Sequence, residues 1–318
     1  MKIESPFHAG ELDAQRMAGE TALAQRNSAV ISDDIIAGAL PFLKQQRMVV
    51  FGTESADGAL WASPLLGSPG LIIPQDPRTL RFDLQLIRSS QADIFWRNLH
   101  TGARAGMLAI DLATRRRLRV NGVFERVLDA EFVLAVREAF PNCPKYIQRR
   151  TMSWIDEASA ESAPEASFGF DLSVEAARMI DSADTLFIAS AHAGRGVDVS
   201  HRGGHPGFLQ RLDATTFRVP DYAGNSLFNT LGNLIVDPRA GVTVMDFTAN
   251  RMLQMTGAAK VEWSQLDEQG LTGGTGRFWT FKIQCWLILP LPIQARWEFL
   301  DASPYNPRPP AAGSTPRG

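Results

Sequence analysis

The sequence has little cysteine, no excess of charge of either sign and no long apolar run. Its 318 residues include only two cysteines, Cys143 and Cys285, and neither lies in a CxxC pair. Isolated cysteines of this kind indicate reduced thiols in a cytoplasmic protein. Lys and Arg total 32 against 34 Asp and Glu, so no overall positive field would attract nucleic acid or an anionic membrane. An anionic ligand would have to be bound by a local group of cations.

Several sequence signals of location and function are also missing. The most apolar run, CWLILPLPI at 285–293, is too short to span a bilayer and contains two prolines. The first residues, MKIESPFHAGELDAQ, lack a basic region followed by an apolar core, so we expect no secretory signal. No Ser-His-Asp order, nucleotide-binding glycine motif or Walker-type loop occurs. With 45% hydrophobic residues, the chain is long enough for two ordinary domains.

Local patterns predict helices and a hairpin in the first half of the chain. The polar, alanine-rich residues 8–30 have helical spacing, and Ser32 could cap a further helix in DDIIAGALPFLKQQ, although Pro41 argues against its later half. The runs RMVVFGTE and ALWASPLL, joined by the turn residues SADG, predict a β-hairpin. The apolar spacing in DAEFVLAVREAF at 129–140 predicts an amphipathic helix.

The run FWTFKIQCWLIL predicts a strand near the end of the chain. Alternation divides its residues between two faces, with Trp279, Phe281, Ile283, Cys285 and Leu287 on one and Thr280, Lys282 and Gln284 on the other. Such alternation is typical of a strand with one buried face.

Composition predicts where the chain divides. The residues SWIDEASAESAPEAS at 153–167 are small, acidic and weakly apolar, as in a linker. The final SPYNPRPPAAGSTPRG is proline-rich, which predicts a tail without fixed structure. We therefore expect helices and a first domain over 1–152, a linker over 153–170, a second domain over 171–302 and a tail over 303–318.

Two parts of the sequence resemble each other at a separation of about 136 residues. Residues 63–82 align without a gap with 200–219 at an offset of 137, with seven identities in twenty, where unrelated sequences would give roughly one. Residues 98–122 align with 233–257 at an offset of 135, with nine identities in twenty-five, including the tripeptide RAG in both. A period of this length indicates a duplicated domain rather than a solenoid. The sequence therefore predicts a fused dimer.

The pattern within each copy predicts the fold class. Each copy combines short strand-like runs with one short helix near its middle, DIFWRNL or SLFNTLGNL. Many short strands with few helices are typical of a small closed antiparallel sheet. We expect a mainly β chain with accessory helices (α+β), in which two tandem barrels form an internal pseudo-dimer. A groove between two barrels is a common place for a small ligand.

The run VDVSHRGGHPGFL at 197–209 holds an arginine and two histidines among glycines. Glycine lets the backbone approach a ligand closely, and arginine suits a phosphate or a carboxylate. From these residues alone, a solvated hairpin and a ligand-binding strand both remain open. His201 and His205 could share a strand face near a metal, but no third ligand at a matching spacing is visible.

The residues VSHRGGHPGFLQRLDATTFRVPDYAGNSLFNTLGNLIVDPRAGVTVMDF resemble the pyridoxamine 5'-phosphate oxidase-like, FMN-binding split-barrel proteins. One branch of that family has an SPRGGxPGF run, a PDxxGNxLxxSLxNLxxxPxxG run and a GxxLRVNG-type strand in this order. The resemblance is clear over about 185–260 and weaker over 47–125, and PNCPKYIQRR at 141–150 is similar to the segment after the barrel. It implies a six-stranded split barrel, usually dimeric, with FMN between two barrels. Here the two FMN-binding split β-barrels would lie in tandem.

The same resemblance implies which residues bind the cofactor. They are Ser200, His201, Arg202, Gly203, Pro220, Asp221, Tyr222, Asn225, Asn229 and Lys145. Arg202 and Ser200 would bind the phosphate, and Lys145 would reach in from the other half. Arginine offers charge-assisted donors and Ser and Asn add neutral ones, which suits a flavin phosphate.

The first copy lacks this set of residues. Ser-His-Arg-Gly at 200–203 corresponds to Ser-Pro-Leu-Leu at 63–66, so the first copy has no arginine at that point. We expect one working site per chain, built mainly by the second half, with the first half as a degenerate partner barrel.

The resemblance implies a flavoprotein, and more specifically an FMN-dependent oxidoreductase that acts on a small molecule. NAD(P)H or a separate reductase would supply electrons, and whole chains could pair as a homodimer. No residue is assigned as a catalytic acid or base, and no metal, nucleic acid or membrane is expected as a partner. A flavin or haem-like cofactor carrier, a deazaflavin-dependent reductase and an interaction scaffold with a dead site remain alternatives.

Overall fold

Two antiparallel sheets with the same strand order make up most of the protein. The computed structural model describes residues 5–155, 165–292 and 294–307. The strands of the first sheet are β1 (Met48–Glu54), β2 (Leu60–Leu66), β3 (Ile72–Asp76), β4 (Thr79–Asp83), β5 (Arg104–Asp111), β6 (Arg116–Val127) and β7 (Glu131–Pro141). Those of the second are β10 (Thr185–His192), β11 (Gly196–Gly203), β12 (Gln210–Arg211), β13 (Thr216–Pro220), β14 (Arg239–Asp246), β15 (Arg251–Glu262) and β16 (Phe278–Pro290). The order is β2-β1-β5-β6-β7-β4-β3 in the first sheet and β11-β10-β14-β15-β16-β13-β12 in the second.

The strand boundaries follow the internal repeat. Strands β4, β5 and β6 coincide residue for residue with β13, β14 and β15 at the offsets of 137 and 135 found in the sequence. All seven strands of the first sheet contribute to one buried core, so that sheet curls into a barrel. The second sheet encloses a core of its own. The predicted fold class, two tandem split barrels in a mainly β chain, is confirmed.

The two barrels pack against each other through the outer faces of their first strands. Neighbouring residues of β1 point to opposite sides, so that Phe51 lies in the first core and Val50 in the apolar cluster between the barrels. The glycine of each RAG tripeptide lies at this interface. A Cβ atom on Gly106 would lie 2.5 Å from Cα of Asp198, and one on Gly241 would lie 2.5 Å from Cα of Trp61. Any side chain at either glycine would therefore push the barrels apart.

Short helices cover the barrels. They are α1 (Ala9–Met17), α2 (Thr21–Asn27), α3 (Leu40–Lys44), α4 (Phe95–Asn98), α5 (Val174–Ser182) and α6 (Asn229–Val236). The predicted helices within 8–30 and the β1–β2 hairpin are confirmed. The predicted start at Ser32 is wrong, because Ser32 forms a β-bridge with Ala139 and α3 begins only at Leu40. Pro41 lies in the first turn of α3, where its missing N–H costs nothing.

The predicted amphipathic helix over 129–140 is wrong, since these residues lie in β7. Phe132, Leu134 and Val136 point alternately into the first core, while β6 and β4 supply hydrogen bonds on both edges. Neighbouring Val133 is also buried. Because Val133 and Ala135 on the other face are apolar too, residues 132–136 form an unbroken apolar run, and its spacing also satisfies a helical pattern.

The strand predicted from FWTFKIQCWLIL is confirmed as β16. The alternation of residues that face the core, however, shifts by one residue halfway along the strand. A bulge opposite Thr256 and Gly257 inserts Gln284 as an extra residue. Beyond it Trp286 and Ile288 enter the core, and the predicted positions of Cys285 and Leu287 on that face are wrong. An added residue reverses the alternation of side chains, which a sequence pattern does not reveal.

Two further strands join the ends of the halves. Strand β8 (Arg149–Trp154) pairs with β17 (Ala295–Asp301), and β9 (Ser167–Gly169) pairs with β16. The predicted linker thus begins within β8, and its residues 156–164 lie outside the described part of the chain, as do residues 308–318 of the predicted tail. The domain boundaries stay a prediction.

The start of the predicted tail has a fixed position. Ser303 is 4% exposed, its hydroxyl accepts a hydrogen bond from the Tyr146 amide at 3.0 Å, and its own amide donates to Gln148 Oε1 at 2.9 Å. The expectation of a tail without structure is therefore wrong for these residues. Over the described ranges, no helix has both the length and the apolar character needed to cross a membrane.

Candidate functional site

A cleft between the two barrels brings most of the predicted site residues together. The first half lines it with β6 and residues 142–146, and the second half with β11, residues 221–231 and Arg277. The empty space of this open cleft, which includes solvent at its mouth, is about 820 Å³. The predicted residues that line it are Ser200, His201, Arg202, Gly203, Asp221, Tyr222, Asn225, Asn229 and Lys145. The tenth, Pro220, ends β13 just before Asp221 and is absent from this lining.

Side chains of both halves hold the hydroxyl of Ser200. Arg119 on β6 donates through Nη2 to Ser200 Oγ, which shares a second hydrogen bond with Thr230 Oγ1 at 2.8 Å. Arg119 also forms an ion pair with Asp198, with 3.3 Å between Nη1 and Oδ2. Ser200 therefore ties β11 to β6, and its hydroxyl is already engaged within the protein.

Arg117 lies against His201 and fixes the state of its ring. Arg117 Nε donates to the Cys143 carbonyl at 2.8 Å, and Nη1 lies 3.2 Å from His201 Nδ1. Because a guanidinium has no acceptor, Nδ1 must accept, and the ring proton lies on Nε2. Burial, with the charges of Arg117 and Arg202, holds the pKa of His201 well below 6.5. The imidazole is therefore neutral at pH 7.

The charge of Arg117 has little compensation. Burial and the neighbouring Arg202 lower the pKa of Arg117 to about 9, so it is still a cation at pH 7. Among the described residues, no carboxylate lies within ion-pair distance of its guanidinium. Arg117 is half-buried, and removing an unpaired charge from water is costly unless a ligand supplies the partner.

Asp221 is shared between two arginines. Arg277 Nε donates to Asp221 Oδ2 at 3.0 Å, whereas Arg202 Nη2 lies 3.8 Å from Oδ1. Arg277 also pairs with Glu20, with 2.8 Å between Nη1 and Oε1. Burial lowers the pKa of Arg202, and Asp221 opposes this shift. Asp221 therefore pairs mainly with Arg277, and its interaction with Arg202 is weak.

Cations around the cleft outnumber the carboxylates paired with them by two. The cations are Lys145, Arg117, Arg119, Arg202 and Arg277, and the carboxylates are Glu20, Asp198 and Asp221. Three buried nitrogens on the lining residues have no hydrogen-bond partner in the described part of the chain, namely Arg119 Nε, His201 Nε2 and Arg202 Nε. A phosphate monoester carries nearly two negative charges at pH 7 and several strong acceptors. The donor set therefore fits a phosphate monoester, the group that FMN carries.

Two tyrosines from different halves meet at the cleft. The rings of Tyr146 and Tyr222 have centroids 4.7 Å apart, and Tyr146 Oη donates to the Ala223 carbonyl at 2.9 Å. Tyr146 has a φ of 67°, a left-handed conformation that bulky residues rarely adopt. A Cβ atom on Gly203 would lie 2.2 Å from the Tyr146 carbonyl oxygen. Only glycine at 203 lets this segment of the first half close onto β11.

The two predicted asparagines lie on the lining but bond within the protein. Asn229 Nδ2 donates to Glu11 Oε1 of α1, and Asn225 Oδ1 accepts from the Leu227 amide at 3.2 Å. Neither Asp221 nor Asn225 begins a helix, because α6 begins at Asn229 after Phe228.

Several lining residues escaped the sequence analysis. They are Arg117, Arg119, Asn142, Cys143, Tyr146, Gly224, Ser226, Phe228, Thr230, Leu231 and Arg277. The run RRRLR at 115–119 held a usable signal, since arginines two apart lie on one face of a strand. No such signal marked Arg277. It ends the connection 263–277 between β15 and β16, whereas the corresponding connection between β6 and β7 in the first copy consists of residues 128–130 alone.

The position equivalent to the cleft in the first copy is closed. Leu65 and Leu66, which correspond to Arg202 and Gly203, are both fully buried. Leu65 lies in the first core and Leu66 in the cluster between the barrels. The two copies therefore share a fold and differ in this site.

Solved structures of other proteins match part of this chain. HupZ of Group A Streptococcus is 12% identical over 39% of this chain and 98% of that chain, with a TM-score of 0.29. A Clostridium acetobutylicum protein that is related to general stress protein 26 (pyridoxinephosphate oxidase family) is 8% identical over 40% of this chain and 93% of that chain, with a TM-score of 0.28. A FAD-binding protein of Mesorhizobium loti is 13% identical over 39% and 96%, also with a TM-score of 0.28. Neither a scan with protein-family models nor a search of curated proteins finds a match.

Proposed function

We propose that the chain is an FMN-binding flavoprotein of the pyridoxamine 5'-phosphate oxidase-like split-barrel type, with one flavin site in the cleft between its barrels. The observation that carries the proposal is the excess of two positive charges around the cleft, where the half-buried Arg117 faces no carboxylate among the described residues. A phosphate dianion would neutralise that excess. Arg117, Arg202 and Lys145 are the candidates to hold it.

We further propose that the protein is an oxidoreductase that acts on a small molecule. Bound FMN would supply the electron transfer, while the protein supplies position and electrostatics. The neutral His201, with its proton on the unpartnered Nε2, is a hydrogen-bond donor for a bound ligand. NAD(P)H or a separate reductase would be the electron source. We place the protein in the cytoplasm, and pairing of whole chains stays a prediction.

Identification of the ligand tests the first proposal. The purified chain would be denatured, the released small molecules identified by mass spectrometry, and the emptied protein titrated with FMN and riboflavin. We expect released FMN, and tighter binding of FMN than of riboflavin because only FMN carries the phosphate. Equal affinity for the two would contradict the role given to the cations, and a released deazaflavin or haem would replace FMN as the cofactor.

Reduction of the bound flavin tests the second proposal. Under anaerobic conditions, NADH or NADPH should bleach the yellow colour of an oxidoreductase that uses either as its electron source. A flavin that dithionite reduces but neither nucleotide does would favour a cofactor carrier or a separate reductase. Protein that takes up no flavin at all would favour an interaction scaffold.

A further inference from the structure

Helices α1 and α2 lie outside both barrels, yet they hold one wall of the cleft. We use the name wall loop for residues 225–229, four of which line the cleft. The contacts run from Gln15 Nε2 to the Leu227 carbonyl (3.2 Å), from Asn27 Nδ2 to the Asn225 carbonyl (2.7 Å), from Ser226 Oγ to Glu20 Oε2 and from Asn229 Nδ2 to Glu11 Oε1. Four hydrogen bonds thus join four of the five wall-loop residues to a segment that precedes both barrels.

The backbone of the wall loop needs such support. Ser226 and Phe228 have φ values of 62° and 63°, in the left-handed region that residues other than glycine rarely adopt. Conformations of this kind persist only where the surrounding structure imposes them. The contacts from α1 and α2 are therefore part of what gives the wall its shape.

Glu20 connects both sides of this wall. One carboxylate oxygen accepts from Ser226, and the other accepts from Arg277 Nη1 at 2.8 Å. The Arg277 guanidinium also lies 5.1 Å from the centre of the Phe228 ring. Through Arg277, Glu20 thus acts on Asp221, the weak partner of Arg202.

A contact between two glycines docks α1 on α6. A Cβ atom on Gly10 would lie 2.2 Å from the Gly232 carbonyl oxygen, and one on Gly232 would lie 2.6 Å from Cα of Glu11. In the first copy the residue equivalent to Gly232 is Arg97, which is exposed on α4. The docking surface therefore belongs to the copy that has the open cleft.

We propose that residues 5–30 act as a clamp, which positions the wall loop and Arg277 so that the cleft can bind its anionic ligand. Glu20 is the positioning residue. The identity of the ligand as FMN rests on the proposed function. Because linkage is reciprocal, ligand binding must also stabilise the docked clamp.

Two substitutions away from the lining test the clamp. Gly10→Ala adds a methyl group against α6, although alanine is the better helix former. Glu20→Gln keeps the size of the side chain and removes its charge. Gly38→Ala is the matched control, because a Cβ atom there would meet nothing within 4 Å. Each variant would be studied by hydrogen exchange without ligand and by FMN titration.

We expect amide exchange at 225–229 to become faster in Gly10→Ala and Glu20→Gln but not in the control. FMN should bind the two variants about 5- to 150-fold more weakly, the usual range for coupled sites, and should slow exchange within 9–27 of the wild type. Unchanged exchange at 225–229 in Glu20→Gln would overturn the clamp, even if wild-type protein bound no FMN. Faster exchange with unaltered FMN affinity would overturn its link to the ligand. If Gly10→Ala does not fold, Glu20→Gln decides alone.

Discussion

Gln254 on β15 donates a hydrogen bond to the hydroxyl of Ser63 on β2 at 3.1 Å. The equivalent pair with the two halves exchanged is Arg119 on β6, which donates to Ser200 on β11. The repeat relates the pairs, since Ser63 matches Ser200 at an offset of 137 and Gln254 matches Arg119 at an offset of 135. Ser63 Oγ in turn donates to Asp93 Oδ1 at 2.6 Å. Gln254 and Ser63 are both fully buried. A neutral amide in place of a guanidinium, with leucine in place of Arg202, thus gives a closed polar contact instead of a cationic cleft.

The closed copy predicts the stoichiometry of the cofactor. We expect one FMN per chain after reconstitution with excess FMN, because the cleft beside Arg202 has weakly paired positive charge and space, whereas the buried Leu65 and Leu66 fill the equivalent position of the first copy. The flavin absorbance of the gel-filtered protein, divided by the protein concentration from amino-acid analysis, gives the ratio. A ratio of two would mean that the closed copy opens to a ligand.

Removal of the Arg202 side chain should weaken FMN binding. We expect Arg202→Ala to cost about 1.5–3 kcal/mol of binding free energy, the range for a hydrogen bond to a charged group, which isothermal titration can measure. Arg116→Ala is the control. Arg116 is an exposed cation at the start of β6, the strand that also carries Arg117. Equal affinity of Arg202→Ala and wild type would remove Arg202 from the site.

The close approach at Gly203 should not tolerate a methyl group. We expect Gly203→Ala to lower the free energy of unfolding by about 1–3 kcal/mol, the usual cost of overpacking, because the new Cβ atom would meet the Tyr146 carbonyl at 2.2 Å. Gly224→Ala offers a control within the same cleft, where a Cβ atom would meet nothing within 4 Å. Urea denaturation of both variants measures the difference. A Gly203→Ala protein as stable as Gly224→Ala would show that the segment around Tyr146 can move away at little cost.

The repeated strands could be predicted from the sequence because identical residues recur where both copies need them. The RAG glycines are an example, since Gly106 and Gly241 each allow a strand of the other barrel to approach within van der Waals contact. The helix was wrongly predicted over 129–140 because the unbroken apolar run at 132–136 shows no alternation that would distinguish a strand. The error at Cys285 came from a bulge, which depends on the neighbouring strand.

Part of the candidate site was predicted from the family resemblance rather than from the repeat. A resemblance to a family identifies residues near one another in sequence, such as Ser200 to Gly203, and these do line the cleft. Arg117 and Arg119 come from β6 in the first half, so the run of neighbouring residues in the second half does not reveal them. Arg277 and Glu20 lie in segments without a counterpart in the repeat, so only the fold brings Arg277 to Asp221 and Glu20 to Arg277.

The buried carboxyl of the closed copy predicts a pH dependence of stability. Burial raises the pKa of Asp93 from 3.8 to about 6, so the folded state holds its proton more tightly than the unfolded state does. The resulting stabilisation is present below about pH 4 and is lost as the pH rises through 6.

We expect the free energy of unfolding of Asp93→Asn to gain about 2 kcal/mol relative to wild type between pH 4.5 and 7.5, from a pKa difference of roughly two units. The Gln254 amide can turn to accept from the new asparagine, since its Oε1 has no partner among the described residues. Denaturation at the two pH values measures the change, with Asp129→Asn at the exposed β6–β7 turn as the control. If both variants followed wild type at the two pH values, Asp93 would be ionised throughout, and the closed contact would hold a charged carboxylate.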